Sequence, residues 1–574
     1  MSNKFETQYE ELEALIENGF YDEVIYKLSQ IINNEQSPKL IYLLAKVSFL
    51  NGRLNEAKQL TLELTQQYPK EEKFLRLFNL INNQEIENNL LEAFNNAYKQ
   101  EEIFNILKYG YRLLNYQKDK LKTHMILSET LFSMGKAELA HKHTLAALES
   151  APNNLSLLDN AVSYLQYAPN TKPDAILTFA KNYEEAAFPQ YHEKSYKSFT
   201  HLNLDPLRKK LKIGFLSGDF KSHAIFFWIG NLFTELKKED LEIFCYCNNL
   251  HDNFTPIWSK QADHWRDINE LNDFDAAKII YEDQIDILID LSGHTDLNRL
   301  GIISLRPSPI QASWLGQAGP IGIRNLDYSI ADTKLFKKNE DYCYLEKIYS
   351  FPDFQSSFNI DYAYHFDRIL THAAYKTNGF ITFGSFNNMI KMNKTGFNTW
   401  IKILKAIPSS KLYLKNHGLS NKDIQTYVRN YFLQKGITAE RLILEGPNLI
   451  RGEYLDCYSK VDICLDPIPV GGCTTSIDAI FAGVPIITLY GNKIPHRATA
   501  SLLKNIGCDE LIAFTKDEYV MKAIELAKNL TKVDFYRESI RSKFLNSNII
   551  NVRKFAKDFS IALRFMWQEF CNAQ

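Results

Sequence analysis

The sequence lacks the features of a membrane protein and of a nucleic-acid-binding protein. Its 574 residues include 66 basic and 68 acidic side chains, so the net charge is −2 and there is no basic excess. Its most apolar run, residues 479–491, is too short to cross a bilayer and contains Pro485. The first six residues contain no apolar signal segment. These absences predict a cytoplasmic protein without a membrane span or a nucleic-acid partner.

Metal-binding patterns are absent as well. The eight cysteines form no pair of CxxC motifs, and we interpret them as buried apolar thiols. No DxD-like motif stands out among the acidic residues. We therefore predict no metal site, so that any bound phosphate must be neutralised by side chains and backbone amides.

Two N-terminal segments share a tetratricopeptide-like pattern. Residues 38–69 and 121–152 place small or apolar residues at equivalent positions and end with a proline. Each segment contains a glycine, Gly52 or Gly135, where two antiparallel helices would turn. Residues 87–118 resemble a further unit, displaced by about 15 inserted residues. The pattern predicts a helical-repeat domain of undetermined repeat number, and another type of helical bundle is the alternative.

Beyond the repeats, short β-rich runs alternate with helical segments. Such alternation predicts parallel sheets with crossover helices. One series of strands begins at Leu211 and a second near Phe380, which favours an α/β fold of two Rossmann-like domains that face a cleft. The predicted boundaries are 1–170 for the repeats, 171–205 for a linker, 206–372 and 373–549 for the two Rossmann-like domains, and 550–574 for a C-terminal helix.

The most informative segment follows the predicted strand at residues 463–465. Two glycines allow a tight turn, and Thr474 and Thr475 then open a helix. The free amides of a helix N-terminus suit a phosphate, and the two hydroxyls would add donors. Asp478, one turn further on, is placed to accept from ribose hydroxyls. The alternative is an ordinary capped helix without a ligand.

Two further candidates follow predicted strands. Lys391 lies with Asn388 in the polar loop after residues 381–383, where an ammonium would stabilise charge on a leaving diphosphate. His223 lies in the loop after residues 211–215, where an acceptor would approach. The ordinary interpretations are a solvated surface lysine and a structural histidine.

With these residues in this order, the sequence resembles glycosyltransferase family 41, which includes O-GlcNAc transferase and the SPINDLY proteins. The resemblance covers roughly residues 205–530 and the repeats in front of them. It implies a GT-B fold, which consists of two Rossmann-like domains that face a cleft, and an inverting, metal-independent transfer from a nucleotide sugar. The matching blocks are residues 218–223, 290–295, 306–316, 327–328, 346–347, 386–391 and 464–483.

The resemblance also implies roles for individual residues. Lys391 matches the essential phosphate-binding lysine of the family, and His223 matches a histidine that acts as general base or positions the acceptor. Thr474 and Thr475 match the pair that binds the diphosphate, and Asp478 matches the ribose ligand. The other implied nucleotide-sugar-binding residues are Asn388, Pro447, Asn448, Arg451, Tyr454 and Cys473.

Three of these positions depart from the family pattern and leave the sugar open. Cys473 replaces a histidine or glycine, Tyr454 replaces a histidine that stacks on uracil, and Arg451 replaces a lysine near the ribose. The predicted function is transfer of GlcNAc from UDP-GlcNAc to Ser or Thr of polypeptides that bind through the repeat groove, without a metal or other cofactor. The alternatives are transfer of glucose from UDP-glucose to Asn, transfer of fucose from GDP-fucose, an inactive repeat scaffold, and an epimerase of the UDP-GlcNAc type.

Overall fold

The chain forms two compact units, residues 1–123 and residues 124–574. The first unit is helical where it is described, and the second contains further helices and two parallel sheets. In the described part of the chain, no helix has the length and apolar character that a membrane span requires. The computed structural model describes residues 12, 15–16, 21–32, 37–199, 202–317, 319–337, 340–363, 372–448 and 450–574.

The described N-terminal residues form a succession of helices. They are α1 (Tyr21–Ile32), α2 (Pro38–Leu50), α3 (Leu54–Gln67), α4 (Glu72–Lys99), α5 (Ile103–Leu113), α6 (Leu121–Ser133), α7 (Ala137–Leu148), α8 (Leu155–Tyr167) and α9 (Pro173–Ala187).

Two helix pairs have the form that the repeat pattern predicts. Ala45 of α2 and Ala57 of α3 are fully buried in one apolar cluster, and the Ser128 hydroxyl of α6 donates to the Ala140 carbonyl of α7. Their turns contain Gly52 and Gly135 at φ +80° and +71°, a conformation that glycine adopts without steric cost. The inserted residues that displace the unit at 87–118 are accommodated by α4, which is 28 residues long.

The first sheet has seven parallel strands in the order β3-β2-β1-β4-β5-β6-β7. Its central strands are apolar on both sides because helices cover both faces. Its elements are β1 (Leu211–Ser217), α10 (Ala224–Ile229), α11 (Leu232–Leu236), β2 (Leu241–Cys247), α12 (Thr255–Ser259), β3 (His264–Asp267), α13 (Asp273–Glu282), β4 (Ile287–Asp290), α14 (Leu300–Ser304), β5 (Ile310–Ser313), β6 (Tyr328–Asp332), β7 (Lys347–Phe351) and α15 (Ile360–Ala363).

The second sheet has six parallel strands in the order β10-β9-β8-β11-β12-β13. Its elements are α16 (Tyr375–Asn378), β8 (Thr382–Ser385), α17 (Lys394–Ala406), β9 (Lys411–Lys415), α18 (Lys422–Leu433), β10 (Leu442–Glu445), α19 (Arg451–Asp456), β11 (Ile463–Leu465), α20 (Thr474–Phe481), β12 (Ile486–Leu489), α21 (Ala498–Asn505), β13 (Ile512–Ala513), α22 (Lys516–Lys528), α23 (Leu530–Leu545) and α24 (Val552–Ala573).

The C-terminal helix α24 returns to the first sheet. Trp314, which follows β5, packs against Phe555 and Phe559 of α24 with ring centroids 5.9 and 4.5 Å apart. The Trp567 indole of the same helix donates to the Asp205 carbonyl at 3.0 Å. The helix therefore connects the two sheet regions of the second unit.

The predicted fold class, two Rossmann-like domains preceded by helical repeats, is confirmed. The domain boundaries stay predictions, and the segment 171–205 that was predicted as a linker contains the helix α9. In both sheets the chain runs outward through its first three strands and then returns to the other side of the first strand. Ligands of such sheets bind in the crevice beyond the carboxyl ends of the strands at this switch point, which here lies between β1 and β4 and between β8 and β11.

Candidate functional site

Lys391 lies at the switch point of the second sheet. A 3₁₀ turn, Met389–Lys391, follows β8, and the Lys391 ammonium donates to the Gly471 carbonyl at 2.7 Å. Burial lowers the pKa of Lys391, while the carboxylate of Asp466 opposes that shift. The lysine therefore contacts the loop that leads into α20 and does not point to bulk solvent.

Asp466 ends the strand segment beneath this loop and is fully buried. Its carboxylate accepts from the Gly472 amide and from the Thr488 hydroxyl, both at 2.7 Å. Burial raises the pKa of Asp466, and these hydrogen bonds and Lys391 oppose the rise. The aspartate thus shapes the glycine turn and adds negative charge beneath the lysine.

The N-terminus of α20 carries the two predicted threonines, which are partly buried. The Thr475 hydroxyl donates to the Asn387 side-chain oxygen at 2.9 Å. Cys473 precedes the helix, and burial raises the pKa of its thiol to about 12, opposed by Lys391. The thiol is therefore neutral near pH 7, and the local positive charge comes from Lys391 and the helix end.

The two sheet regions meet at Thr474. The Trp228 indole of α10 donates to the Thr474 hydroxyl at 3.1 Å, and Trp228 also stacks on Phe354 at 5.6 Å between ring centroids. A cavity of about 480 Å³ lies beside this contact, and its lining includes His223, Trp228 and Cys473. Residues from both switch points therefore line one cavity.

His223 lies at the start of α10, on the first-sheet side of the cavity. Its Nδ1 accepts from the Ile225 amide at 3.4 Å and lies 3.5 Å from an Asp219 carboxylate oxygen. Burial raises the pKa of Asp219, and the charges of His223 and Lys221 oppose the rise. The side chain of His223 is about half exposed, so it is accessible from the cavity.

Asp478, the predicted ribose ligand, is buried one turn into α20 and already has a cationic partner. Arg451 of α19 contacts its carboxylate at 2.7 Å. The Arg451 guanidinium also lies 4.8 Å from the ring centroid of Phe227 in α10. A ribose that bound Asp478 would therefore share the carboxylate with this arginine.

The remaining predicted residues lie around the same edge. The Tyr454 hydroxyl is 3.3 Å from that of Tyr458, which in turn donates to the Thr475 carbonyl. Asn448 donates to Glu453 at 3.3 Å, and Pro447 before it is exposed.

Asn388 is exposed, and its side chain caps the 3₁₀ turn by accepting from the Ile390 amide. Its neighbour Asn387 is buried and is the residue that contacts Thr475. Asn387 was not predicted, although it adjoins a predicted residue. Trp228 was not predicted either, because its contact depends on how the two sheet regions pack. Asp466 was also missed, and it could have been found as an acidic residue directly after a buried strand.

The described side chains form no candidate metal site. Among them, no group of three or more His, Cys, Asp or Glu residues is arranged to hold a metal ion. Metal independence stays a prediction, because the arrangement of these residues alone does not test it.

Comparisons with known proteins agree with this arrangement. The model for glycosyl transferase family 41 matches residues 189–379 and 369–559. The probable UDP-N-acetylglucosamine–peptide N-acetylglucosaminyltransferase SPINDLY of Solanum lycopersicum is 29% identical over 385 residues, which are 66% of this chain and 41% of that protein. The corresponding SEC protein of Arabidopsis thaliana is 28% identical over 436 residues, 73% of this chain and 44% of that protein.

A solved structure supports the same relationship. A mutant of the Thermobaculum terrenum O-GlcNAc transferase superposes with a TM-score of 0.74 and 26% identity, and the match covers 93% of this chain and 98% of that chain. The chain spans less than half the length of the two plant relatives. Because the family model matches more than half of its residues, this protein belongs to glycosyl transferase family 41.

Proposed function

We propose that this protein is an inverting glycosyltransferase that moves GlcNAc from UDP-GlcNAc to Ser or Thr hydroxyls of polypeptides. One observation carries the proposal: Lys391 contacts the loop that opens α20, at the point where Trp228 contacts Thr474 across the cleft. The sugar and the acceptor are inferred from the names of the plant relatives and of the bacterial enzyme.

The donor end of the cleft suits a diphosphate. The helix N-terminus at Thr474 and Thr475 offers backbone amides and hydroxyls, and Lys391 adds an ammonium. These groups are held in place before the reaction, so they stabilise the negative charge that develops as the diphosphate leaves. Asp478, Arg451 and Tyr454 lie where they would contact the nucleoside.

The acceptor end lies across the cavity at His223. In one displacement, the acceptor oxygen forms a bond to the anomeric carbon as the bond from that carbon to the diphosphate oxygen breaks. The electron pair of the broken bond leaves with the diphosphate, and the acceptor proton passes to His223, whose ring lies beside Asp219. Attack opposite the leaving group inverts the anomeric configuration.

We assign the binding of the polypeptide acceptor to the helical repeats. Arrays of paired helices present extended concave surfaces of the kind that bind peptides, and α8 and α9 lie in the same compact unit as both sheets. The repeats distinguish this proposal from a transferase that acts on small molecules.

A thermal-shift panel of UDP, GDP, UDP-GlcNAc, UDP-glucose and GDP-fucose tests the donor. A ligand that binds the folded state raises its stability by mass action, about 2.7 kcal/mol at a concentration 100 times the Kd. We expect the largest shifts with UDP and UDP-GlcNAc. A preference for GDP-fucose or UDP-glucose would support the corresponding alternative, and no shift with any nucleotide would support the inactive scaffold.

A transfer assay tests the reaction itself. We expect GlcNAc on Ser or Thr of a peptide mixture, detected by mass spectrometry, and equal rates with and without EDTA. Loss of transfer in EDTA that is restored by Mg²⁺ would refute metal independence. Modification of Asn alone would refute the hydroxyl acceptor, and release of free, epimerised sugar would indicate an epimerase.

A further inference from the structure

The turn between α6 and α7 lies against the loop that carries Lys391. A Cβ atom on Gly135 would overlap the carbonyl oxygen of Met392 and would lie 2.9 Å from the carbonyl oxygen of Met389. Real Cβ atoms essentially never come within 3.0 Å of such atoms. The turn and the loop therefore fit together only because residue 135 has no side chain.

The two carbonyls that Gly135 contacts flank Lys391 in the chain. They belong to buried residues, and the Met392 amide donates to the Met389 carbonyl at 2.9 Å, which closes the turn around the lysine. The Lys391 ammonium must reach the Gly471 carbonyl from this turn. A shift of the two flanking carbonyls would move the backbone of Lys391, from which the side chain reaches Gly471.

A second contact joins the same repeat turn to the second sheet region. The Lys136 ammonium lies 4.7 Å from the ring centroid of Tyr427 in α18. Behind the turn, Phe132 stacks on Tyr164 of α8 at 4.0 Å between centroids. These contacts hold the turn in place on both sides, so the turn can restrict the position of the Lys391 loop.

We propose that the repeat turn at Gly135 and Lys136 positions Lys391, so that its ammonium is aligned with α20 before a nucleotide binds. This inference rests on the proposed function, because it assigns the aligned lysine to the diphosphate. It also gives the helical repeats a role at the donor site, in addition to the acceptor role proposed above.

The chain offers a matched control for this contact. Gly52 occupies the equivalent turn between α2 and α3 at φ +80°, and a Cβ atom there would meet nothing within 4 Å. Gly52→Ala and Gly135→Ala therefore impose similar backbone strain, but only Gly135→Ala pushes on the Lys391 loop.

Hydrogen exchange and UDP titration of the full-length variants test the proposal. In Gly135→Ala we expect exchange of the Lys391 and Met392 amides to accelerate at least about tenfold. We expect UDP to bind about 10- to 100-fold more weakly, since a charge-assisted hydrogen bond from Lys391 to the diphosphate would be lost. In Gly52→Ala both should stay within about twofold of wild type. Equal exchange in the two variants would overturn the proposal, as would faster exchange with unchanged UDP affinity.

A second pair of variants covers the case in which Gly135→Ala does not fold. Lys136→Ala removes the contact to Tyr427 without adding atoms, and Arg53→Ala changes the equivalent residue of the earlier turn. We expect faster Lys391 exchange and weaker UDP binding only in Lys136→Ala, and identical behaviour of the pair would overturn the proposal. A wild-type protein that does not bind UDP would instead refute the proposed function, and the exchange comparison would still decide whether the turn holds the loop.

Discussion

The two sheets share one strand order but carry different chemistry at the same place. Both run third-second-first-fourth from one edge, so each has its switch point between its first and fourth strands. At the first switch point lie His223 and the carboxylates of Asp219 and Asp290. At the second lie Lys391 and the hydroxyl-bearing end of α20. The shared topology supplies the location, and under the proposed mechanism the side chains give deprotonation to the first half and anion binding to the second.

The largest effect is expected from removing Lys391, the cation at the switch point of the second sheet. Lys391→Met should lower the transfer rate about 10²- to 10³-fold, because a fixed donor to the developing charge is lost. Lys394→Met, an exposed lysine in the first turn of α17, is the matched control and should be near wild type. A normal rate for Lys391→Met, measured by mass spectrometry of the peptide product, would contradict the assignment.

Removing His223, the proposed base of the first half, should affect the rate but not nucleotide binding. His223→Asn is expected to lower kcat about 10²-fold and to leave UDP affinity within about twofold. His251→Asn changes an exposed histidine that pairs with Asp267 outside the cavity, and it should have no effect. If His223→Asn weakened UDP binding as much as Lys391→Met does, the division of labour between the halves would be wrong.

A smaller effect is expected from the contact between Trp228 and Thr474, which joins the two halves. Trp228→Phe and Thr474→Val each remove one side of the indole–hydroxyl hydrogen bond, which is worth about 1 kcal/mol. In a double-mutant cycle on the free energy of unfolding, the double variant should therefore lose less stability than the sum of the single variants. Strict additivity would mean that the two side chains do not interact in the folded protein.

The last prediction concerns the stability of the fold and not the activity, through its pH dependence at the first switch point. Burial raises the pKa of Asp290 to about 6, above the value of about 4 for an unfolded aspartate. Between these values the folded state binds the proton more tightly, so stability should fall as pH rises, by up to about 1.4 kcal/mol per pH unit. Thermal midpoints at pH 4.5 and 6.5 should therefore drop less in Asp290→Asn than in wild type, and parallel profiles would contradict the assignment.

The sequence predicts the buried centre of each sheet well. β11 has the predicted bounds, 463–465, because a continuous apolar run marks a strand that is covered on both faces. The strand β3, His264–Asp267, was missed because it is a half-buried edge strand with a polar sequence. β7, at the other edge, was missed as well, and it is also only partly buried over most of its length.

The site residues also divide into those that local sequence rules predict and those that depend on packing. Lys391, Thr474 and Thr475 were predicted from local rules, since a loop after a strand and the start of the next helix lie at one sheet edge. Trp228 was not predicted, because its contact with Thr474 depends on how the two sheet regions pack. Gly135 was predicted as a turn residue, but nothing in the repeat pattern indicates what the turn would contact.

The most direct test of the account compares UDP with uridine by calorimetric titration into wild type and Lys391→Met, with GDP and guanosine as the second pair. If Lys391 and the end of α20 hold the diphosphate, the variant should lose about 100-fold in affinity for the nucleoside diphosphate and almost nothing for the nucleoside. Equal affinity of wild type and Lys391→Met for the diphosphate would contradict the central claim.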